Sequence, residues 1–279
     1  MYTTSKDMIN KARAGGYAVP AFNAENLEMV QAIVAAASEL RSPVMIQTTP
    51  TTVKYLTLRQ AVAMVRAEGE AADIPVALHL DHCESFEGVR DAVQAGYTSV
   101  MIDGSKLPYE ENIELTRKVV EMAAARGVTV EAELGTVGGK EDSHSAQIAY
   151  TDPEEAVDFF TRTGVDIFAV AIGTAHGFYK GEPKLNFDLL ATLRDKIDAP
   201  LVLHGGSGIP DEMIRRTIEL GICKVNFATE LRAAATKAVR KALEDPAIID
   251  PKKFMGPARE AVIELCRHKI KLCGSDGKA

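Results

Sequence analysis

The chain has 279 residues, of which 46% are hydrophobic and 25% charged, and its formal net charge is −7. These values are typical of a globular protein with a large buried core and argue against disorder. The sequence shows neither the basic cluster of a nucleic-acid or membrane surface nor an apolar run long enough to span a bilayer. The cysteines form no CxxC pair, and the N-terminus lacks an apolar secretion segment. We therefore expect free thiols and a cytoplasmic protein.

Eight short apolar runs, rich in β-branched residues, alternate with segments of helical periodicity. The predicted strands are Tyr17–Asn23, Val44–Thr48, Val76–Leu80, Ser99–Asp103, Thr129–Leu134, Ile167–Ile172, Leu201–His204 and Cys223–Ala228. Eight βα units in about 250 residues favour a parallel (β/α)8 TIM barrel over a doubly wound sheet. We expect a single domain over residues 1–279, with residues 246–279 as a C-terminal helical extension.

Three histidines occur where predicted strands end, and in a barrel of this type the strand ends carry the chemistry. They are His82, His176 and His204, and no cysteine accompanies them. Three histidines facing one mouth are typical of a catalytic zinc site with an open coordination position. Asp81 directly precedes His82, so it either orients that histidine or acts as a general acid/base beside the metal.

Two acidic residues of the fifth predicted strand, Glu131 and Glu133, alternate with hydrophobic residues. Both should therefore point into the barrel, where a carboxylate needs a partner. Lys224 on the last strand is one candidate for that partner, and a second cation is the other. His79 is expected to support the site or to pack beneath it.

Two turns that precede helices indicate a phosphate site. They are HGGSG, residues His204–Gly208, after the seventh strand and NFAT, residues Asn226–Thr229, after the eighth. Backbone N–H groups at a helix N-terminus bind anions, and these two loops form the usual phosphate site of such barrels. A plain glycine turn is the alternative for either loop alone.

Several ordered motifs resemble the class II ketose-bisphosphate aldolases, and the resemblance covers essentially the whole chain. They are HLDH, VEAELGTVGGKED, IGTAHGFYKGEP, LVLHGGSGIP, KVNFATE and PAREA. The resemblance implies reversible cleavage of a ketose 1,6-bisphosphate into dihydroxyacetone phosphate and glyceraldehyde 3-phosphate, through an enediolate that zinc stabilises. GTAHG and Ala228 favour tagatose 1,6-bisphosphate, whereas KGEP and PAREA resemble fructose-1,6-bisphosphate aldolases; other phosphorylated ketoses stay open.

The same resemblance implies the cofactors. The catalytic zinc is held by His82, His176 and His204. A second or alternative divalent site is expected at Asp103 and Glu133, and a monovalent cation is a further expected cofactor.

The resemblance also assigns the remaining site residues. Asp81 is expected to move a proton at the C4 hydroxyl, and Glu141 to exchange the C3 proton of dihydroxyacetone phosphate. Arg259 is expected to reach the active site of a neighbouring subunit, which implies a homo-oligomer, either a dimer or a tetramer. The triose phosphate is expected to bind at Gly177, Gly205, Gly206, Ser207, Asn226, Phe227, Ala228 and Thr229.

Three rival interpretations remain. A Schiff-base aldolase would use Lys224 as its nucleophile. A zinc hydrolase of the amidohydrolase type would need an HxH pair on the first strand, which reads YAVPAFN. A non-catalytic accessory subunit of an aldolase should have lost metal ligands, whereas all three histidines and Asp81 are present; a catalytic chain can also require such a subunit as a partner.

Overall fold

Eight parallel strands form a closed barrel in the computed structural model, which describes residues 1–141, 144–146, 149–179 and 181–279. The barrel strands are β1 (Val19–Asn23), β2 (Val44–Thr48), β3 (Val76–Cys83), β4 (Ser99–Ile102), β5 (Thr129–Leu134), β8 (Ile167–Val170), β10 (Leu201–Leu203) and β11 (Ile222–Phe227). Each strand pairs with its neighbour in sequence, and β1 closes the barrel by pairing with β11. The predicted TIM barrel is confirmed.

The helices surround the barrel, and most begin and end at residues suited to those positions. The side chains of Asn26, Ser85 and Asp152 accept hydrogen bonds from the first turns of three helices, while Gly96 and Gly164 end two helices with positive φ. The helices are α1 (Lys6–Gly15), α2 (Leu27–Glu39), α3 (Pro50–Leu56), α4 (Leu58–Ala71), α5 (Phe86–Ala95), α6 (Tyr109–Ala124), α7 (Pro153–Thr163), α8 (Phe187–Lys196), α9 (Asp211–Glu219), α10 (Thr229–Ala242) and α11 (Pro251–Leu272).

The core has two parts because the strands are buried on both faces. One part lies between the strands and the surrounding helices and contains most of the buried hydrophobic residues. The other lies inside the barrel, where Met8, Ile9 and Ala12 of α1 pack against inward-facing strand residues such as Ala77 and Val202. Helix α1 therefore closes the end of the barrel at which the strands begin, and the opposite end is left for the site.

The C-terminal helix confirms the predicted extension. Helix α11 packs along α2 and α10 on the outside of the barrel. The chain after it is attached beside the starts of β1 and β2. There the Ala18 N–H donates to the Cys273 carbonyl at 3.0 Å, and the Ser42 hydroxyl donates to Ser275 at 2.8 Å. Among the described residues, no helix is long and apolar enough to cross a membrane.

The polar stretch after β5 differs from the expected loop. It contains β6 (Gly138–Glu141) and β7 (His144–Ala146), which form an antiparallel pair. Strand β6 also pairs with β9 (Ala175–His176), so a three-stranded sheet stands outside the barrel. This sheet links the segment after β5 to the segment after β8.

Candidate active site

Asp81 and His82 lie within β3, which continues three residues beyond its predicted end at Leu80. The pairing register between β3 and β4 shifts between Leu80 and Cys83, as at a β-bulge. His82 consequently has φ +49°, a conformation that few residues other than glycine adopt. The irregularity points Asp81 and His82 toward the same mouth, although they are adjacent in a strand.

Asp81 is buried and held by two amide side chains. Gln47 Nε2 donates to Asp81 Oδ2 at 2.9 Å and to Asn23 Oδ1 at 2.8 Å. Asn226 Nδ2 lies 3.3 Å from each carboxylate oxygen of Asp81. Burial raises the pKa of Asp81, but His82 and His79 outweigh this effect and hold the pKa well below its usual range. Asp81 is therefore an oriented carboxylate.

His82 is oriented by Asp103, the residue that follows β4. His82 Nδ1 lies 2.8 Å from Asp103 Oδ2, and the other carboxylate oxygen of Asp103 accepts the hydroxyl of Ser105 at 2.6 Å. Burial raises the pKa of Asp103, but the hydrogen bonds from His82 and Ser105 more than offset this and lower it. A carboxylate that fixes an imidazole in this way is the usual support of a metal-binding histidine.

His204, which directly follows β10, lies between two glutamates of β5. Its Nε2 is 2.9 Å from Glu131 Oε1, and its Nδ1 is 2.9 Å from Glu133 Oε2. Lys224 Nζ donates to the other oxygen of Glu131 at 2.8 Å, so Lys224, one of the two candidates, is a partner of Glu131. Burial raises the pKa of Glu131, but Lys224 and the hydrogen bond to His204 lower it to about 2.

His176 ends β9 and is held by the loop that carries Gly205. Tyr179 Oη accepts the Ala175 N–H at 2.9 Å and donates to the Gly205 carbonyl at 3.0 Å. Gly205 has φ +67°, and a Cβ there would be 2.5 Å from the Ala175 carbonyl oxygen. The close approach of the two loops therefore requires glycine at position 205.

The three histidine rings converge. The ring centroid of His82 is 5.0 Å from that of His176 and 4.6 Å from that of His204. One nitrogen from each ring can be chosen so that all three lie within 4.8 Å of one another, and His82, Asp103 and Glu133 form a second such group. The structure thus brings together all five residues predicted as metal ligands.

The donor set fits a cation. His204 Nδ1 and Glu133 Oε2 face each other at 2.9 Å, yet neither makes a hydrogen bond of acceptable geometry among the described residues. In the neutral form of His204 whose Nε2–H donates to Glu131, Nδ1 carries a lone pair, so Nδ1 and Glu133 Oε2 are two opposed acceptors unless a proton or a metal ion lies between them. Burial lowers the pKa of His204, whereas Glu131 and Glu133 outweigh this and raise it to about 9. The site attracts positive charge, and a bound metal would satisfy both acceptors.

A small cavity lies beside His176 where the predicted phosphate loops meet. Its volume is about 30 Å³. The predicted binding residues that line it are Gly177, Gly205, Ser207, Asn226, Ala228 and Thr229. Part of this loop structure is already bonded internally, since Gly206 N–H donates to the Asn226 carbonyl at 3.0 Å and Ser207 Oγ accepts the Ala228 N–H at 3.2 Å. Fewer backbone N–H groups of these loops are therefore free to bind a phosphate than the sequence suggests.

A larger cavity of about 810 Å³ opens on the other side of His82 and His176. It is bordered by the segments after β2, β3, β4 and β5. Its polar lining includes Thr51, Lys54, Glu84, Ser105 and Lys106. The histidine cluster therefore lies between a narrow cavity lined by glycine-rich loops and a wide cavity lined by both acidic and basic side chains.

The side chains of Phe227 and Arg259 do not line either cavity, and neither does Gly206. The Phe227 side chain is buried against Phe22, with ring centroids 5.8 Å apart, so only its backbone faces the loops. Arg259 on α11 donates to Gln31 Oε1 of α2 at 3.1 Å and lines neither cavity of this chain. The side chain of Glu141 lies outside the described residues, although its backbone ends β6.

Two residues that contribute to the site were not predicted from the sequence. Gln47 supports Asp81, and its signal is an amide in the otherwise apolar strand VMIQT. Arg232 lines the small cavity and pairs with Glu25, with Nη2 and Oε1 2.6 Å apart. Its signal is its place one turn beyond the NFAT motif, at the start of α10.

The comparisons with known proteins agree with this fold. The family model of class II fructose-bisphosphate aldolases matches residues 3–278. The YdjI aldolase of Escherichia coli K12 is 39% identical, with a TM-score of 0.90 and full coverage of both chains. A proposed fructose-1,6-bisphosphate aldolase of Coccidioides immitis is 30% identical over 98% of this chain and 96% of its own, with a TM-score of 0.88. The Campylobacter jejuni fructose-bisphosphate aldolase shares the fold, with a TM-score of 0.85 at 23% identity over 100% of this chain and 97% of its own.

A TIM barrel with a histidine and carboxylate cluster at its mouth is typical of a metal-dependent enzyme. The chain belongs to the class II fructose-bisphosphate aldolase family. It is therefore a lyase, and the family implies a sugar phosphate as its substrate.

Proposed function

We propose that the chain is a zinc-dependent class II aldolase that reversibly cleaves a ketose 1,6-bisphosphate into dihydroxyacetone phosphate and glyceraldehyde 3-phosphate. The observation that carries the proposal is the convergence of His82, His176 and His204 beside the facing acceptors of His204 and Glu133. Three nitrogen ligands with an open position suit zinc, which would polarise the substrate carbonyl when bound. Asp103 and Glu133 would hold a second or alternative divalent ion.

Asp81 is the proposed acid/base at the C4 hydroxyl. Gln47 and Asn226 hold its carboxylate through the contacts described above, next to the histidine cluster. Its lowered pKa keeps it ionised and ready to accept a proton when the C3–C4 bond breaks. Glu141 is the proposed acid/base at C3, and it follows the strand segment that pairs with His176.

The two cavities suit the two halves of the substrate. The small cavity between the Gly205 and Thr229 loops would take the phosphate of the dihydroxyacetone half. The large cavity would take the aldehyde half, with Ser105 and Lys106 among its polar groups. Arg259 would act on a neighbouring copy's far phosphate in a dimer or tetramer, as the family resemblance implies.

Tagatose 1,6-bisphosphate is the preferred substrate and fructose 1,6-bisphosphate the next, on the motifs GTAHG and NFAT. The two sugars differ only in configuration at C4, the carbon on which Asp81 is proposed to act. Purified zinc-loaded enzyme should be assayed on both sugars side by side, before and after treatment with EDTA. Higher kcat/KM for tagatose, lost in EDTA and restored by zinc, is expected; activity in a verified metal-free sample would contradict the zinc assignment.

The Schiff-base alternative would use Lys224, which is fully buried and paired with Glu131. Borohydride added with substrate traps an imine as a stable adduct, so it should leave no mass increase on this enzyme. The accessory-subunit alternative predicts that the purified chain is inactive alone, and turnover by the chain alone would refute it.

A further inference from the structure

An ion pair between a buried lysine and a partly buried glutamate connects the C-terminal helix to the predicted phosphate loops. Lys269 of α11 is 3% exposed, and its Nζ lies 2.8 Å from Oε2 of Glu230, the second residue of α10. The same ammonium lies 5.1 Å from the centre of the Phe227 ring. Replacing a buried ion pair by apolar residues is often neutral or stabilising, so the pair is weak evidence for a role in stability alone.

Glu230 makes two contacts with the first phosphate loop, His204–Gly208. Its Oε1 accepts the N–H of Gly208 at 3.2 Å, and its own N–H lies 3.5 Å from Ser207 Oγ. Gly208 has φ +81°, a conformation that glycine adopts readily, so its N–H is free to point at the Glu230 carboxylate. Glu230 thus holds the first loop against the N-terminus of α10.

This arrangement places a negative charge beside an anion site. Thr229, which lines the small cavity, directly precedes Glu230. A carboxylate next to the cavity lining would repel a phosphate unless a cation compensates it, and such repulsion is stronger at a partly buried position than in bulk water. Lys269 is the cation in contact with Glu230.

We propose that Lys269 is a positioning residue that neutralises Glu230, so that Glu230 can fix the Gly208 loop without repelling the substrate's phosphate. This inference rests on the proposed function of the small cavity as a phosphate site. It assigns a role in substrate affinity to the C-terminal helix, through charge compensation and not through contact with the substrate.

The test compares Lys269→Met, Glu230→Gln and the double variant, all loaded with zinc. The measurements are KM and kcat for the ketose bisphosphate and the inhibition constant of inorganic phosphate. Lys269→Met should raise KM and the inhibition constant about tenfold, which corresponds to about 1.4 kcal/mol, with kcat changed much less. Glu230→Gln keeps an acceptor for Gly208 but removes the negative charge, so it should tighten phosphate binding about threefold by the same arithmetic.

The double variant should return both constants to within about threefold of wild type, because neither uncompensated charge remains. Lys271→Met, an exposed lysine on the same helix, is the charge-matched control and should leave both constants unchanged.

If Lys269→Met does not fold, tighter phosphate binding by Glu230→Gln still supports the inference, and unchanged or weaker binding overturns it. Folded Lys269→Met with wild-type constants, or a double variant as weak as Lys269→Met, would also overturn it. Wild-type enzyme that neither cleaves the sugars nor binds phosphate would instead refute the proposed function.

Discussion

Lys224 Nζ lies 2.8 Å from Glu131 Oε2, and both side chains are inaccessible to solvent. The pair crosses the inside of the barrel from β11 to β5, below the histidine cluster. Glu131 also contacts His204 Nε2, so this ion pair joins the barrel interior to the candidate metal site.

Removing one partner of this pair should be costly, because the other charge stays buried. Lys224→Met should lower the free energy of unfolding by about 3–5 kcal/mol, and Lys224→Met combined with Glu131→Gln should lower it less. Urea denaturation measures both values. Lys252→Met, which breaks an exposed pair with Asp250, is the control and should change stability by less than about 0.5 kcal/mol. A Lys224→Met enzyme as stable as this control would contradict the argument.

The sequence predicted the barrel and the gathering of His82, His176 and His204 because a parallel barrel places all strand ends at one mouth. The topology of the barrel brings together residues that are distant in the chain. Predicting this gathering therefore requires only the positions of the strands in the sequence. The partner of Glu131 was left open between Lys224 and a cation, since strand periodicity gives the face of a residue and not its register with another strand.

The sequence did not predict the sheet of β6, β7 and β9. Gly138 and Gly139 have low strand propensity, and the stretch is polar, so its local pattern is that of a loop. The pairing arises from tertiary contact, since Gly138 is opposite Ala175 and Gly139 is opposite His176. The position of α1 at the end of the barrel where the strands begin was not predicted either. The sequence of an amphipathic helix shows that one face is buried, but not which surface that face covers.

His176 should be required for metal binding, while His268 should not. His176 belongs to the three-histidine cluster, whereas His268 is exposed and contacts Asp211. His176→Ala should reduce zinc content and turnover together, because a ligand is lost. His268→Ala should keep wild-type zinc content by elemental analysis, with both variants compared by circular dichroism. Full zinc content in His176→Ala would remove this residue from the proposed site.

Loss of the Asp81 carboxylate should slow carbon–carbon bond cleavage more than it slows proton exchange at C3. Asp81→Ala should keep zinc bound but slow carbon–carbon cleavage about 10²–10⁴-fold, the usual effect of losing a general acid/base. Exchange of tritium at C3 of dihydroxyacetone phosphate should survive better, since another acid serves that step. Asp198→Ala, at an exposed surface position, is the control. Equal loss of cleavage and exchange would indicate that Asp81 only orients neighbouring groups.

Gly139 should be needed to keep His176 in place. It has φ +86°, and a Cβ at this position would overlap the carbonyl oxygen of His176. Gly139→Ala should therefore separate β6 from β9 and lower zinc affinity. Gly127→Ala is a matched control, because Gly127 also has positive φ, at +65°, but a Cβ there meets nothing within 4 Å. Both variants carry the backbone strain, so a loss of zinc affinity in Gly139→Ala alone isolates the contact with His176.

Glu141 should be required for proton exchange at C3 of dihydroxyacetone phosphate, but not for zinc binding or folding. It ends β6, two residues after Gly139, which pairs with His176. Glu141→Gln removes the charge while keeping the size of the side chain. It should nearly abolish tritium exchange on dihydroxyacetone phosphate, with normal zinc content and folding, because a proton acceptor contributes typically about 10²–10⁴-fold. Glu154→Gln, an exposed acid on α7, should exchange tritium normally. Exchange at the wild-type rate in Glu141→Gln would exclude Glu141 from the reaction and make Glu131 the next residue to test.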